Sequence, residues 1–517
     1  MAQVNLDALI LRQDFEVQTQ GEIALKQSLQ ITDLERDAFF HSALCKPDFQ
    51  RETAEWDPNR VVGLIRSFIE GELIPAVILW RNRELVFVID GSHRLSALIA
   101  WTHDDYGDGA RSQKFFGHMI PEEQIKVAKR TRQLVEQEFG SYRSHREAIA
   151  KPSQYGPDVA ARAKRLGTLS LELQWVSGDA NKAEDSFIRI NQRAEIITPQ
   201  ELELLKTRRK PITIAARAII RRGTGHKYWF SFEEKQQQKI EALAAELHKM
   251  IFEPPLKYPI KTLDLPPGGA VYSAPALRMV WDFINLCIGA PSPEDDQEGT
   301  RTIEYLRRCQ RVMQLLLSND PSSLGLHPAV YFYSWTGKQQ PILFLTIAEL
   351  IVDWERSNKL PSFIDLRERF ETFLTANRSL LNQVIRKFGT KDSGRSHMRD
   401  FYELVLKLLA EGRSPDEVIA ELQKQIPYLQ PAESPYQGIA PTKYSTQMKS
   451  GLVMKELVGQ APRCAICRGF MPVQAISVDH VTRREDGGSA IPENAQVTHP
   501  YCNTGYKEML NADQAKA

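Results

Sequence analysis

At 517 residues the chain is too long for one hydrophobic core, and its ordinary apolar and charged fractions exclude a globally disordered or membrane-embedded protein. A formal net charge of +1 excludes a bulk field that would draw in nucleic acid, so such binding has to come from local patches. Six cysteines are too few for a disulfide framework. With no basic start or apolar run over Met1 to Glu16, no secretion signal is expected and the expected setting is a reducing cytoplasm.

Taken in chain order, the first elements are two β-branched, apolar runs, Leu73 to Trp80 and Leu85 to Ile89, joined by the polar turn Arg81-Asn82-Arg83-Glu84. They predict a hairpin or neighbouring strands. The second run ends at Asp90-Gly91 and gives way to the helical composition of Arg94 to Trp101. The string Asp90-Gly91-Ser92-His93-Arg94 therefore sits on a strand-to-helix turn. Glycine permits the tight turn, the helix start offers free N–H groups and Arg94 adds a fixed charge, a combination suited to a phosphate-sized anion. Asp90 is placed to bind a metal ion or to orient Arg94. A bare D-G-x-x-R string is more often only a capped turn, so its surroundings decide.

Those surroundings carry a resemblance. The run Phe68-Ile69-Glu70-Gly71-Glu72-Leu73-Ile74-Pro75, followed by Ile89 to Leu98, resembles the ParB/sulfiredoxin-like superfamily. It is most like the D-G-Q-x-R branch found in modification-dependent restriction systems of the GmrSD and SspE type. Phe187-Ile188-Arg189-Ile190-Asn191 and Ile197-Thr198-Pro199-Gln200-Glu201-Leu202 match the F-x-R-x-N segment and T-x-x-E-L helix start of that branch. Ser92 stands where the branch has glutamine, with His93 after it, which leaves the nucleotide preference open. The likeness spans about residues 55 to 210 and implies nucleotide binding or hydrolysis, in some members coupled to sensing modified DNA. The residues on which it places that binding are Asp90, Gly91, Ser92, His93 and Arg94.

Next comes a basic cluster, Lys206, Arg208, Arg209 and Lys210, then Arg217, Arg221 and Arg222. It can track a DNA backbone, though a solvated helix end explains it equally well. From about 211 to 425 the chain reads as helical. Lys235 to Phe252, Ala274 to Ile288, Thr302 to Leu317, Phe344 to Arg356 and Asp400 to Glu411 carry apolar residues at three- and four-residue steps. The longest apolar stretch, Pro341 to Trp354, is interrupted by Glu349 and Asp353 and is too short to span a bilayer, so it predicts a buried helix. Ser414-Pro415-Asp416-Glu417 is a capping box with proline at the first helical position. Cys45, Cys287 and Cys309 are scattered and read as small core residues. Pro427, Pro431, Pro435 and Pro441 among polar residues then mark a linker over about 426 to 447.

The last segment is the richest in chemistry. Cys464 and Cys467 form a C-x-x-C pair, and His499 and Cys502 an H-x-x-C pair. Thiolates and imidazole in fours are what a closed, structural Zn²⁺ site takes, and such a metal can hold together a module with little core. Between the pairs lie Asp479-His480, Gly487-Gly488 and Asn494, with Asn503 just beyond. Asp479 and the Asn503 carbonyl are hard ligands for Mg²⁺ or Mn²⁺, and His480 is a base near neutral pH. Asn494 is placed to hold the loop bearing His480, and Arg483-Arg484 to meet a flanking phosphate.

This string, ending at Lys507, resembles the HNH nuclease family with its ββα-metal fold over residues 460 to 507. The resemblance implies that Asp479 and Asn503 hold the catalytic metal, that His480 is the general base and that Asn494 positions it. The family usually has two C-x-x-C pairs, and here His499 takes the third ligand position. The expected architecture is α+β and multidomain: a ParB/sulfiredoxin-like α/β domain over 1–210, a mainly helical connector over 211–425, a linker over 426–447 and a small zinc-stabilised HNH domain over 448–517. The expected activity is phosphodiester hydrolysis on DNA, phage or modified, in an antiviral restriction system, with no membrane involved. A nucleotide, a second copy of the chain or a partner defence protein stay open as further partners. The rival reading is a ParB-like nucleotide switch whose terminal zinc module grips DNA without cutting it.

Overall fold

The computed structural model describes residues 3–13, 25–47, 56–82, 84–116, 120, 122–178, 182–183, 186, 190, 203–204, 206–224, 227–271, 274–389, 392–430 and 444–514. The F-x-R-x-N and T-x-x-E-L segments, Ile190 apart, and most of the proline-marked linker lie outside them. The chain forms two compact units, one of Met1–Arg208 with Thr224–Tyr228, the other of Arg209–Gly223 with Trp229–Ala517.

In the first unit the strands β1 (Arg12–Gln13), β2 (Ser28–Gln30), β3 (Leu44–Pro47), β4 (Val77–Asn82), β5 (Leu85–Asp90) and β6 (Ser170–Trp175) make a mixed sheet in the order β1-β3-β5-β4-β6-β2. The expected hairpin is the antiparallel β4–β5 pair, with Trp80 opposite Phe87. Strand β5 is buried on both faces, as an alternation-free apolar run requires. Val86 and Val88 face the main core, while Phe87 and Ile89 pack with Cys45 and Trp80 on the other side. The strand predicted from Leu73 starts instead at Val77. Leu73 is fully exposed, and Pro75, which has no N–H, contributes only its carbonyl.

Helices α1 (Pro58–Glu70) and α2 (Ser92–His103) cover the main core, and α3 (Glu122–Glu138), α4 (Tyr142–Ala150) and α5 (Pro157–Leu166) follow. Helix α1 opens on a clean cap, Asp57 accepting from Arg60 N at 3.0 Å with Pro58 at the first position. In α2 every residue from Leu95 to Trp101 is buried.

The second unit is helical: α6 (Pro211–Ile220), α7 (Glu234–Phe252), α8 (Ala274–Ile288), α9 (Thr300–Leu316), α10 (Pro341–Arg356), α11 (Leu360–Ala376), α12 (Arg378–Phe388), α13 (Asp392–Ala410) and α14 (Pro415–Gln425). Helix α7 packs on α9, α8 on α10, and α13 against both α10 and α11. The Pro341–Trp354 stretch is buried within α10, as expected. Ser414 and Glu417 close the predicted capping box at the start of α14, Ser414 N donating to Glu417 Oε2 at 2.7 Å. No helix among the described residues is long and apolar enough to cross a membrane.

The same unit contains the terminal segment: α15 (Thr446–Gly459), an antiparallel pair β7 (Ser477–His480) and β8 (Ala495–Thr498), a π-helical turn Cys502–Tyr506 and α16 (Lys507–Gln514). The stretches read separately as 211–425 and 448–517 thus pack together, Ile260 N donating to Ser450 Oγ at 3.2 Å and Gln474 Nε2 to Asp264 Oδ1 at 2.6 Å.

Candidate metal centre and the adjoining carboxylate–histidine site

The C-x-x-C pair sits on a tight knuckle. Cys464 N donates to Gly469 O at 2.9 Å, Arg468 N donates to Cys464 O at 2.9 Å, and Gly469 N points at Cys467 Sγ from 3.4 Å. The H-x-x-C pair follows β8, and Ala465 N donates to Val497 O at 3.0 Å to join knuckle and strand. This brings the ligand atoms of Cys464, Cys467, His499 and Cys502 within 4.8 Å of one another, all four residues buried.

Imidazole orientation provides a test of fit for a metal. His499 Nε2 lies 3.1 Å from Phe470 O, a contact that needs a proton on that nitrogen. Nδ1 is then the lone-pair nitrogen, and it is the one facing the sulfurs, 3.3 Å from Cys467 Sγ and 3.9 Å from Cys502 Sγ. Burial and the nearby Arg367 guanidinium lower the His499 pKa, keeping the ring neutral. Hydrogen bonds from the Cys467 and Cys502 thiols pull Cys464 strongly toward thiolate, while the same sharing pushes Cys467 up to about 12. A neutral imidazole and a group of thiols held against each other are the donor set of structural zinc, so the residues fit that metal.

A buried ion pair braces this cluster. Arg367 and Glu371, one turn apart on α11, are fully buried and joined at 2.8 Å through Arg367 Nε. Arg367 also donates to Leu324 O (2.5 Å) and Gly325 O (2.9 Å), and its Nη1 lies 3.3 Å from His499 Nδ1. Glu371 accepts from Tyr331 OH at 2.9 Å and from Phe470 N at 2.6 Å. Nothing in the sequence marks this pair, because an Arg and a Glu four apart on a helix normally read as a solvated surface contact.

Asp479 and His480 end strand β7 beside the tetrad. The Asp479 carboxylate is 6 % exposed and accepts from Lys507 Nζ at 2.9 and 2.7 Å and from Gln496 Nε2 at 2.8 Å. Lys507 Nζ also donates to His480 O at 2.7 Å. His480 Nε2 is buried without a hydrogen-bond partner among the described residues. Asn494 pins the following loop: its Oδ1 accepts from Thr482 N (2.7 Å), and its Nδ2 donates to Thr482 O (3.0 Å) and Ser489 O (2.9 Å). Gly488 belongs to the same fold-back, since a Cβ there would meet Thr482 O at 1.9 Å. Asn503 Nδ2 donates to Ser477 Oγ at 2.8 Å and lies 3.3 Å from Val478 O, which orients the amide against β7.

For a hard divalent cation the fit is one of charge. Asp479 already holds a positive group, the Lys507 ammonium, so the position favours a cation, and a metal there has to displace that amine. Lys507 is brought over by the π-helical turn, whose extra residue closes with Lys507 N donating to Cys502 O. Of the two arginines that follow His480, Arg483 lies 3.9 Å from Glu485 and Arg484 is exposed.

The N-terminal turn keeps its charges to itself. Arg94 Nη2 donates to Asp90 Oδ2 at 2.6 Å and Nη1 to Pro75 O at 2.9 Å. Gly91 has φ +97°, and a Cβ there would sit 3.1 Å from Val77 Cγ2 and 3.2 Å from Arg94 Nη2. Ser92 is buried and His93 stacks on Trp56 with ring centroids 5.5 Å apart. An anion arriving here meets a neutral Asp–Arg pair at the start of α2. In the downstream basic cluster, Arg222 is paired with Glu253 at 3.0 Å.

Residues 34–208 match the family model described as "GmrSD restriction endonuclease, N-terminal domain". The N-terminal part of the chain is GmrSD-like. The matched segment holds β3 to β6 and the Asp90–Arg94 turn. No match is found among curated proteins or among solved structures.

Proposed function

We propose that this chain is a metal-dependent DNA endonuclease of a restriction-like antiviral defence system. In this reading an HNH-type C-terminal module cuts, and the GmrSD-like N-terminal domain binds nucleotide or senses modified DNA and thereby controls the cut. The observation that carries it is a strand end that bears the buried Asp479 carboxylate and, next in sequence, the His480 ring, whose Nε2 is buried with no hydrogen-bond partner among the described residues, in a segment that also holds the zinc-type tetrad. The family match at the other end of the chain supports the restriction class.

In this mechanism Cys464, Cys467, His499 and Cys502 hold zinc and set the strand end rigidly. Asp479, once the Lys507 amine has left its carboxylate, and Asn503 would hold a divalent cation, Mg²⁺ or Mn²⁺, which would supply positive charge against the phosphate under attack. His480 Nε2, with no hydrogen-bond partner among the described residues, takes the proton from the attacking water. Asn494 fixes the backbone from Thr482 to Ser489, so the imidazole keeps one orientation toward the scissile bond. In-line attack releases the 3′ oxygen and leaves a 5′ phosphate. At the other end, Asp90, Gly91, Ser92, His93 and Arg94 form the nucleotide-binding turn, with Asp90 yielding Arg94 to the phosphate.

The deciding assay is conversion of supercoiled plasmid with Mg²⁺ or Mn²⁺ by the full chain and by His480→Ala. The expected loss is about 10² to 10⁴-fold, the contribution of a positioned general base. Cutting that survives the substitution refutes the assignment. The Lys507–Asp479 ion pair favours one rival, a module that grips DNA without cutting. That rival predicts plasmid binding with no nicking in either protein. Adding ATP, GTP or CTP, with Arg94→Ala alongside, tests the control: cleavage and binding indifferent to both would remove it.

A further inference from the structure

A groove of about 480 Å³ lies on the helical unit between α9 and α10, and four arginines line it: Arg307, Arg308, Arg311 and Arg356. Two of them are answered by carboxylates in the same groove, Arg308 by Glu304 at 2.7 Å and Arg311 by Glu355 at 3.0 Å. Arg307 and Arg356 are exposed and have no ion pair among the described residues, so the groove carries two uncompensated positive charges. The protein as a whole is nearly neutral, which makes this a local patch of the kind a backbone contact requires.

Its shape and lining select among anions. The remaining wall is Cys287, Thr300, Ile303, Val312 and Val352, with no aromatic ring on which a base could stack. The arginine side chains stand out in solvent, Arg311 65 % and Arg308 52 % exposed, unlike the walls of an enclosed small-molecule pocket. From Thr300 to Arg311 the helix runs ~16 Å at 1.5 Å per residue, and a duplex rises ~3.4 Å per nucleotide of one strand, so its length matches about five phosphates of one strand.

Both helices also lead straight to the metal centre. Helix α9 ends at Leu316 and runs into the loop whose Leu324 and Gly325 carbonyls hold Arg367. Within that loop, Pro321 O accepts from Thr504 Oγ1 at 2.7 Å and Ser323 O from Tyr501 N at 2.9 Å. Helix α10 ends at Arg356, and α11, which carries Arg367 and Glu371, starts at Leu360.

We propose that the Arg307–Arg308–Arg311–Arg356 groove is a docking surface for the phosphate backbone of double-stranded DNA, an inference that rests on the nuclease reading for its choice of polymer. The test is fluorescence anisotropy of a labelled duplex of about three helical turns with the full chain and Arg307→Ala/Arg356→Ala. EDTA-free buffer without divalent cation keeps the zinc in place, and salt is varied. Losing two phosphate contacts should flatten the plot of log affinity against log salt by about 1.8 and weaken binding about 60-fold at roughly 0.1 M salt. Both residues are exposed, so the melting temperature should not move. Unchanged affinity and slope overturn the proposal. So does displacement of the duplex by ATP that depends on the same two arginines, which would make this a nucleotide site. If the wild type does not cut but the double variant still loses affinity, the nuclease reading falls and the groove stands. If the wild type cuts and the double variant binds normally, the groove falls alone.

Discussion

Arg367→Met is the sharpest test of how the metal centre is held. The substitution keeps the side-chain volume roughly constant but removes a guanidinium that is fully buried and makes three strong bonds, to Glu371 (2.8 Å), Leu324 O (2.5 Å) and Gly325 O (2.9 Å). What remains is a buried Glu371 charge with only Tyr331 OH and Phe470 N to satisfy it, and two carbonyls with no donor. Breaking a buried pair from one side costs about 3–5 kcal/mol, most of it from the stranded charge. Arg367→Met/Glu371→Gln should recover a good part of that loss, since the amide carries no charge, its oxygen can keep the bond from Phe470 N, and its NH2 can donate to the Tyr331 hydroxyl oxygen. Urea unfolding of the zinc-loaded proteins measures the stabilities, and release of zinc to a chromophoric chelator measures the hold on the metal. Zinc release should quicken in Arg367→Met, because the cation beside His499 and the thiolates is gone. A single variant within about 1 kcal/mol of wild type, or a double variant less stable than the single, would refute the argument.

The other predictions concern the tetrad, the loop and the first unit. Cys502→Ser should drop bound zinc well below one per chain by metal analysis; full occupancy would remove Cys502 from the ligand set. Asn494→Ala deletes the three bonds that hold Thr482 and Ser489. It should lower the plasmid cleavage rate at least about ten-fold with a stability change near 1 kcal/mol, and faster amide exchange at Thr482 would locate the effect. Burial lowers His41 to about 4, with Arg111 adding to the shift, and lowers His103 to about 4, with His41 adding to it. Both rings are neutral in the fold and bind protons more readily when unfolded. The first unit should therefore lose stability as pH falls from about 6.5 to about 4, by up to ~2 kcal/mol per ring, and level off below. A stability curve flat across that window would contradict the buried neutral pair.

How much of this was legible in the sequence depends on the range of the interaction. The β4–β5 hairpin, the strand-to-helix turn at Asp90 and the capping box at Ser414 rest on neighbours in the chain, and the structure has them where the pattern placed them. The tetrad was legible because thiols and a histidine at fixed short spacing are rare outside a metal site. Leu73 misled because an apolar run looks like a strand whether or not Pro75 interrupts its hydrogen bonding. The brace of Arg367 and Glu371, about a hundred residues ahead of the knuckle, had no local signature at all. Lys507 was visible in the string, but its place on Asp479 depends on the winding of the turn before it, which spacing alone does not encode.

That winding gives the segment from Cys502 to Lys507 the character of a ruler. Its wide turn spends one residue more than an α-helix would between a cysteine that faces the tetrad and an amine that reaches the carboxylate. Removing any one residue of Thr504, Gly505 or Tyr506 rotates everything after it by ~100° about the helix axis. The amine is carried away from Asp479 while Cys502 stays in place. Homologous chains that differ here by a single insertion or deletion should therefore divide into those with both features in register and those that keep the tetrad but have lost the amine from the carboxylate.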